Sequence, residues 1–484
     1  MDPLLSKFEP KLLWKHFDEI RKIPRESKNE VAVAQYVISI AQKNNCEYNQ
    51  DGVGNLVVRK SATPGHEKAP ILILQSHLDM VCEKNSDVDF DFTKDAIQLK
   101  IDGEWLTAQG TTLGADNGIG VAAMLAVLED DTLTHGPLEL LFTVDEETGL
   151  TGAFSIRPDF LQGRKYLNLD SEEEGVFTIG CSGGADTEFA LPISREPVNS
   201  GQRLRVRISG LKGGHSGIDI NTGRGNAIKI LNRILWEAER EIGLALINFN
   251  GGNKRNAIPR EASAEIIVPA NSVDRVKTQM QKSLNEIKFE LKAIEKDLTL
   301  TIEAQNGELP SILTGTSQKN ILNLLFGLPH GVLRMSLDIE GLVETSTNLA
   351  IVTTKDSEIT IGQSSRSSIG SALTATRNKL KALAELASAT VVQPDGYPGW
   401  TPNLDSEILK IAKAAYQECF NKEPEVAAIH AGLECGLIGE KFPGMDMVSF
   451  GPDLRNPHSP DEKVHIGSVG KFWKHLLKIM EMTA

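Results

Sequence analysis

The sequence predicts an α/β protein: a layered domain with a mostly parallel central sheet, interrupted by an inserted α+β domain with an internal repeat. Three observations predict it. Apolar strand-like runs alternate with helical patterns as far as Asp170. The pattern then changes to a two-residue alternation. After residue 400 a strand and two helices resume the first layer.

The elements follow in order. “LLWKHFDEIRKI” and “EVAVAQYVISIAQK” place apolar residues at helical spacing within residues 10–45. “GVGNLVVRK”, “APILILQS”, “GPLELLFTV” and “KYLNL” read as strands. The second is wholly apolar, as a strand covered on both faces is. “GADNGIGVAAMLAVLED” reads as a turn entering a helix. Glycine and serine cluster in “GCSGGADTEFALPISREPV”, and “QRLRVRISGLKGGHSG” alternates like a half-exposed strand. A second glycine- and proline-rich stretch, “VVQPDGYPGW”, ends at Trp400. The expected division is 1–184 and 398–484 for the layered domain and 185–397 for the insert, with both junctions as hinges. “NAIPREASAEIIV” and “NLAIVTTKDSEITIGQ” each read as an Asn, an apolar turn and a strand, which is the repeat. “SEILKIAKAAYQECF” is a helix, “MDMVSF” a strand and “SVGKFWKHLLKIM” the last helix.

A chain of 484 residues exceeds one compact core, which fits two or three domains. The net charge of -14 argues against nucleic acid, whose phosphates want a basic face. No apolar run reaches the roughly 18 residues of a membrane span. The N-terminus has no basic stretch leading into an apolar one, so the expectation is no signal peptide and a cytoplasmic location. The five cysteines are scattered and never form C-x-x-C, which argues against a disulfide framework or a cysteine zinc site.

Polar groups recur just past the predicted strands. His77 and Asp79 follow “ILILQS”, Glu146 and Glu147 follow “LELLFTV”, Asp170 follows “KYLNL”, His458 follows “MVSFGP”, and Asp116 precedes a helix. Ligands gather outside the carboxyl ends of strands in open α/β sheets, so one shared site is expected. The acids would repel one another unless cations neutralised them. Two histidines and three carboxylates suit zinc, manganese or cobalt. Asp116 would bridge two ions, with His77 and Asp170 on one and Glu147 and His458 on the other. Two such metals activate a shared water and polarise a carbonyl. Of the adjacent glutamates, one ligates and the other serves as general base. Asp79 would fix the His77 tautomer. Read singly, H-x-D is a weak motif and paired glutamates are usually a solvated face.

“HLDMV”, “GTTLGADNGIG”, “EETG”, “LDSEEEG”, “GLKGGHSG”, “NAIPRE”, “HAGLECG” and “GPDLRNPHSPDEKVHI” together resemble the aminoacyl-histidine dipeptidases, also called peptidase D or cytosol non-specific dipeptidases. These fall in the carboxypeptidase G, aminoacylase and carnosinase clan of dinuclear zinc hydrolases. The resemblance covers nearly the whole chain. It implies a zinc-peptidase catalytic domain and an inserted lid domain through which the protein forms a homodimer. It implies two Zn2+ per subunit, with Mn2+ or Co2+ as substitutes, held by His77, Asp116, Glu147, Asp170 and His458. Asp79 becomes the orienting acid and Glu146 the general base. His215 in the lid would hold substrate or the oxyanion, within or across subunits, and Asn256 would bind substrate. Simpler clan members carry a carboxylate-binding arginine on the strand after that asparagine, but “AEIIVP” has none. Arg366, in “TIGQSSRSS”, takes that role, with Arg260 as fallback. Glu434 would read the free amine. The implied reaction is hydrolysis of unblocked dipeptides, Xaa-His included.

Rival readings are an N-acyl or N-carbamoyl amino-acid amidohydrolase, a catalytically dead metal-binding scaffold, and a two-lobed binding protein. A free-amine reader separates the first. An intact ligand set and Glu146 count against the second, and the absent signal peptide against the third. His465 rivals His458, and His430 is either structural or site-lining. “GADNGIG” lacks the lysine and glycine spacing of a nucleotide loop.

Overall fold

The structure is a computed structural model and describes residues 1–484. It divides into two units. The first comprises Met1–Gly180, Trp400–Ala428 and Leu433–Ala484; the second comprises Cys181–Gly399 and Ile429–Gly432. The excursion at Ile429–Gly432 was not foreseen.

An eight-stranded sheet organises the first unit, in the order Glu47–Gln50, Leu56–Lys60, Leu138–Thr143, Leu72–His77, Lys165–Asn168, Asp446–Ser449, Val176–Cys181 and Glu425–Ile429. The middle four strands are mutually parallel, and the last two also run parallel, Glu425 N–H meeting Gly175 O at one end and Ser182 N–H meeting Ile429 O at the other. The sheet is mixed but mostly parallel, as expected, with antiparallel pairing at the Glu47–Gln50 edge and where Asp446–Ser449 meets Val176–Cys181. Glu47–Gln50 and Leu56–Lys60 are joined by a short turn, and so close a connection permits only antiparallel pairing. Asp51 builds that turn by accepting the N–H groups of Val53, Gly54 and Asn55.

Leu72–His77 and Leu138–Thr143 are buried along their whole length. The helix Ala115–Glu129 is apolar nearly all round, as an enclosed helix must be. It packs against Lys11–Ile20 and the strand Leu72–His77. Gly120 makes that approach possible, because a Cβ there would lie 2.4 Å from Ser76 Oγ and 2.9 Å from the Leu169 carbonyl. The final helix, Ile466–Thr483, buries Phe472, His475, Leu476 and Ile479. A separate four-stranded antiparallel sheet pairs Leu454–Arg455, Lys463–His465, Trp105–Ala108 and Leu99–Asp102, and the loop of its first hairpin carries His458.

The second unit is built on a nine-stranded sheet. In Gln202–Ser209 the residues Leu204, Val206 and Ile208 enter its core, while Arg203, Arg205 and Arg207 alternate outward and pair with Glu265 and Glu261. Helices Ala227–Glu241, Val273–Glu290, Gly315–Gly327 and Gly370–Leu386 feed the same core. The two segments read as a repeat do not share a conformation. Asn256 precedes the short strand Ala257–Ile258, whereas Asn348 lies inside the long strand Val343–Thr354. Asn348 Nδ2 instead donates to the carbonyls of Arg255 and Ala257. No helix is long and apolar enough to cross a membrane.

Candidate active site

Parallel strands bring their carboxyl ends to one edge. His77 ends one of them, Asp170 lies just past Lys165–Asn168, and Glu146 and Glu147 follow Leu138–Thr143. Asp116 starts the enclosed helix at the same edge. Its two oxygens face different histidines. His77 Nε2 lies 3.1 Å from Asp116 Oδ1 and 3.4 Å from Asp170 Oδ1. His458 Nε2 lies 3.2 Å from Asp116 Oδ2 and 2.9 Å from Glu147 Oε2. His77, Asp116 and Asp170 form one candidate ligand group, and Asp116, Glu147 and His458 another. A third grouping joins His77 to Glu146 and Glu147. His458 holds a left-handed backbone at φ 61, a conformation that side chains rarely adopt and that surrounding structure must enforce.

The donor set fits divalent cations. It pairs imidazole nitrogens with carboxylates, and Glu147 Oε1 is buried with no hydrogen-bond partner. The electrostatics point the same way. Burial alone would lower the His77 pKa, yet the Asp170 charge and bonds from Asp116, Asp170 and Asp79 hold it well above its ordinary value. Bonds to Asp116 and Glu147 push His458 up to about 11. The acids therefore draw positive charge onto both rings. Burial, reinforced by the neighbouring acids, raises Glu146 well above the usual carboxylate range.

Asp79 is fully buried behind His77. Its Oδ1 lies 3.3 Å from His77 Nδ1 and accepts the Glu146 N–H at 3.1 Å. Its Oδ2 accepts Ser27 Oγ–H at 2.8 Å and the Glu147 N–H at 3.2 Å. One carboxylate thus orients a ring and pins the turn that carries both glutamates. Glu434 is buried in the same unit, with Oε2 accepting from Gln75 at 2.6 Å and Thr143 at 2.8 Å. Its Oε1 has no partner. Burial pushes its pKa up to about 8. His465 caps the final helix by accepting the Ser468 N–H, which is a structural task.

His215, Asn256 and Arg366 belong to the second unit. Gly214 and His215 pair with Ile258 and Ala257, so Asn256 stands next to that ladder. His215 Nδ1 accepts the N–H groups of Gly217 and Ile218, each at 3.2 Å. Burial, then the Arg366 charge, lowers its pKa. The ring is therefore neutral with its proton on Nε2. Arg366 is 8 % exposed, donates from Nη1 to Tyr397 Oη at 2.8 Å, and keeps Nε buried without a partner. Arg260 is exposed. Both His430 nitrogens are engaged, with Ser182 and Ser346 hydroxyls at 2.7 Å, which favours the structural reading of that ring.

Sequence reasoning missed Tyr397, Arg25 and Glu462. Tyr397 sits in the stretch read only as a hinge. For Glu462 the available signal was an acid four residues after His458. Arg25 had none beyond its place between two helices.

The sequence profile of Peptidase family M20/M25/M40 matches residues 73–482. The cytosol non-specific dipeptidase of Escherichia coli (strain K12) is 45% identical over 478 residues, spanning 99% of this chain and 98% of that protein. The crystal structure of aminoacylhistidine dipeptidase from Vibrio alginolyticus matches with a TM-score of 0.91 at 44% identity, covering 99% of this chain and 98% of that one. An aminopeptidase from Bacillus cereus, 16% identical, shares the fold with a TM-score of 0.57 over 98% of this chain and 99% of its own. By profile and by relatives that span it end to end, the chain belongs to Peptidase family M20/M25/M40.

Proposed function

We propose that the protein is a dinuclear-metal dipeptidase that hydrolyses unblocked dipeptides, aminoacyl-histidine pairs among them. The observation that carries this reading is the placing of the Asp116 oxygens, one toward His77 and Asp170 and the other toward His458 and Glu147. The near full-length likeness to two proteins named as dipeptidases supports the substrate class. His77, Asp116 and Asp170 would hold one ion, and Asp116, Glu147 and His458 the other. Zinc suits these donors best, with manganese or cobalt as substitutes. The pair would supply Lewis-acid polarisation of the scissile carbonyl and acidification of water.

The chain's own residues do the rest. Glu146, with its raised pKa, takes the proton from the attacking water and returns it to the leaving nitrogen. Asp79 keeps the Nδ1–H tautomer of His77 and fixes the Glu146 backbone. His215, whose Nδ1 accepts two N–H groups and so leaves the proton on Nε2, would stabilise the developing oxyanion, within or across subunits. Arg366 takes the substrate carboxylate, a role that its unpartnered buried Nε–H supports, and Asn256 binds substrate. The unpartnered Glu434 Oε1 reads the amine. Reading both ends limits the substrate to dipeptides. A cytoplasmic location follows the name of the Escherichia coli relative. A homodimer through the second unit follows the family resemblance.

The test is hydrolysis of Ala-His, β-Ala-His, a tripeptide and an N-acetyl amino acid by metal-replete and chelated protein, with Glu146→Gln alongside. Metal-dependent cleavage of the free-amine dipeptides alone, lost in the variant, is expected. Cleavage of only the N-acetyl substrate would overturn the substrate class.

A further inference from the structure

Two buried charged residues beside the Asp116 turn have no part in the reaction as described. Arg25 and Glu462 are each 2 % exposed. The Glu462 carboxylate accepts four consecutive backbone N–H groups. Oε2 takes Leu113 at 2.7 Å and Gly114 at 2.9 Å; Oε1 takes Ala115 at 2.8 Å and Asp116 at 3.2 Å. Leu113 and Gly114 lie before the helix Ala115–Glu129, and the backbone departs from helical geometry at Asp116 and Asn117, so no preceding helical turn satisfies these amides. Arg25 holds the carbonyl side. Its Nη1 donates to Leu78 O at 3.0 Å and Asp79 O at 2.7 Å, and its Nη2 donates to Gly114 O. Gly114, at φ 69, has no Cβ to block this; a Cβ there would lie 2.5 Å from Arg25 Nη2.

The consequence is a link between three ligand-bearing segments. Arg25 joins the loop after His77 to the Asp116 turn. Glu462 joins the same turn to the hairpin loop that carries His458. We propose that Glu462 and Arg25 are positioning residues that hold the Asp116 carboxylate between His77 and His458 before any cation binds. This rests on the reading that Asp116 bridges two metals. Carboxylates that hold metal ligands in place are worth about 10–100-fold in affinity or activity.

The experiment compares Glu462→Gln with Glu139→Gln and Asp116→Asn in the full chain. Glu139 is the control: 1 % exposed, it accepts the N–H groups of Gln162 at 2.9 Å and Gly163 at 3.0 Å on Oε2 and the Arg59 Nε–H at 3.1 Å on Oε1, at the other end of its strand from Glu146. Glutamine at 462 keeps the shape but turns one acceptor into a donor facing two N–H groups. Zinc affinity by chelator competition, the visible spectrum with Co2+, and kcat and KM at saturating zinc are the readouts. Glu462→Gln should lose about 10–100-fold in zinc affinity, shift the Co2+ bands and lower kcat with KM unchanged. Glu139→Gln should do none of these. Equal affinity and spectra in the two glutamine variants overturn the inference. If Asp116→Asn also binds zinc like the wild type, the bridging reading fails with it. If Asp116→Asn loses zinc while Glu462→Gln does not, the inference alone falls. Hydrogen exchange on metal-free wild-type protein needs no variant. Protected Leu113–Asp116 amides are expected, and exchange at the rate of open loop amides overturns the clamp.

Discussion

Replacing Asp79 with asparagine keeps the side-chain size and removes one acceptor. The carboxylate faces four donors: His77 Nδ1–H and the Glu146 N–H on Oδ1, Ser27 Oγ–H and the Glu147 N–H on Oδ2. An amide offers one acceptor oxygen and one NH2. With the oxygen kept on His77, the NH2 meets the Glu147 N–H, while the Ser27 hydroxyl can rotate away. With the amide reversed, the NH2 meets His77 Nδ1. The imidazole Nδ1–H is then left with only the Asp79 carbonyl at 3.2 Å, or its proton moves to Nε2, the atom that faces Asp116 and Asp170. Either way at least one buried donor is orphaned, which costs about 1–3 kcal/mol. Falling on the competent arrangement, that is about 5–150-fold in zinc affinity, in kcat, or shared between them. Chelator competition and steady-state kinetics at saturating zinc measure both. An Asp79→Asn protein that binds zinc and turns over Ala-His like the wild type would refute the orienting role.

Other expectations follow the same logic. Glu146→Gln should lower kcat by about 10²–10⁴-fold and leave zinc stoichiometry intact; a matching loss of zinc would make Glu146 a ligand instead. Arg366→Ala should raise KM for free-carboxylate dipeptides by about 10–150-fold, the worth of a charged hydrogen bond, and leave C-terminal amides unaffected; equal effects on both would remove Arg366 from carboxylate recognition. His475 stacks on Phe177 with ring planes 10° apart and donates to the Ala412 carbonyl. Burial pushes its pKa down from 6.5 to about 4. The unfolded chain therefore takes up a proton that the folded chain refuses. Stability is complete above pH 6.5 and falls as acid approaches pH 4, by about 2 kcal/mol between pH 7 and 5. His475→Gln should shed that share of the slope in urea unfolding, with the titrating metal-site groups cancelling between the two proteins. A variant that loses as much as the wild type over this interval contradicts it.

The strand before His77 was legible because both faces are covered, which leaves an unbroken apolar run, and a polar residue closing such a run stands out. The same contrast exposes Glu146, Glu147 and Asp170. The sheet's outer pairing was not legible. Val176–Cys181 meets Asp446–Ser449 across most of the chain's length, and nothing local encodes that register or its direction. Ile429–Gly432 crosses to the second unit in four residues, too few to carry a compositional signal. Glu462 was hidden for a different reason. Its partners are backbone amides, which every sequence has, so the carboxylate reads as one more charge in a loop. Tyr397 lay among glycines and prolines that mark a turn without revealing that the ring beside them receives an arginine.

The central claim is that one carboxylate, Asp116, serves two cations at once. Calorimetric titration of metal-free protein with zinc, beside Asp116→Asn, tests it most directly. Two ions per wild-type chain, with both sites weakened together in the variant, is the expected result. One ion per chain, or a variant that loses one site and keeps the other at full affinity, would contradict the account.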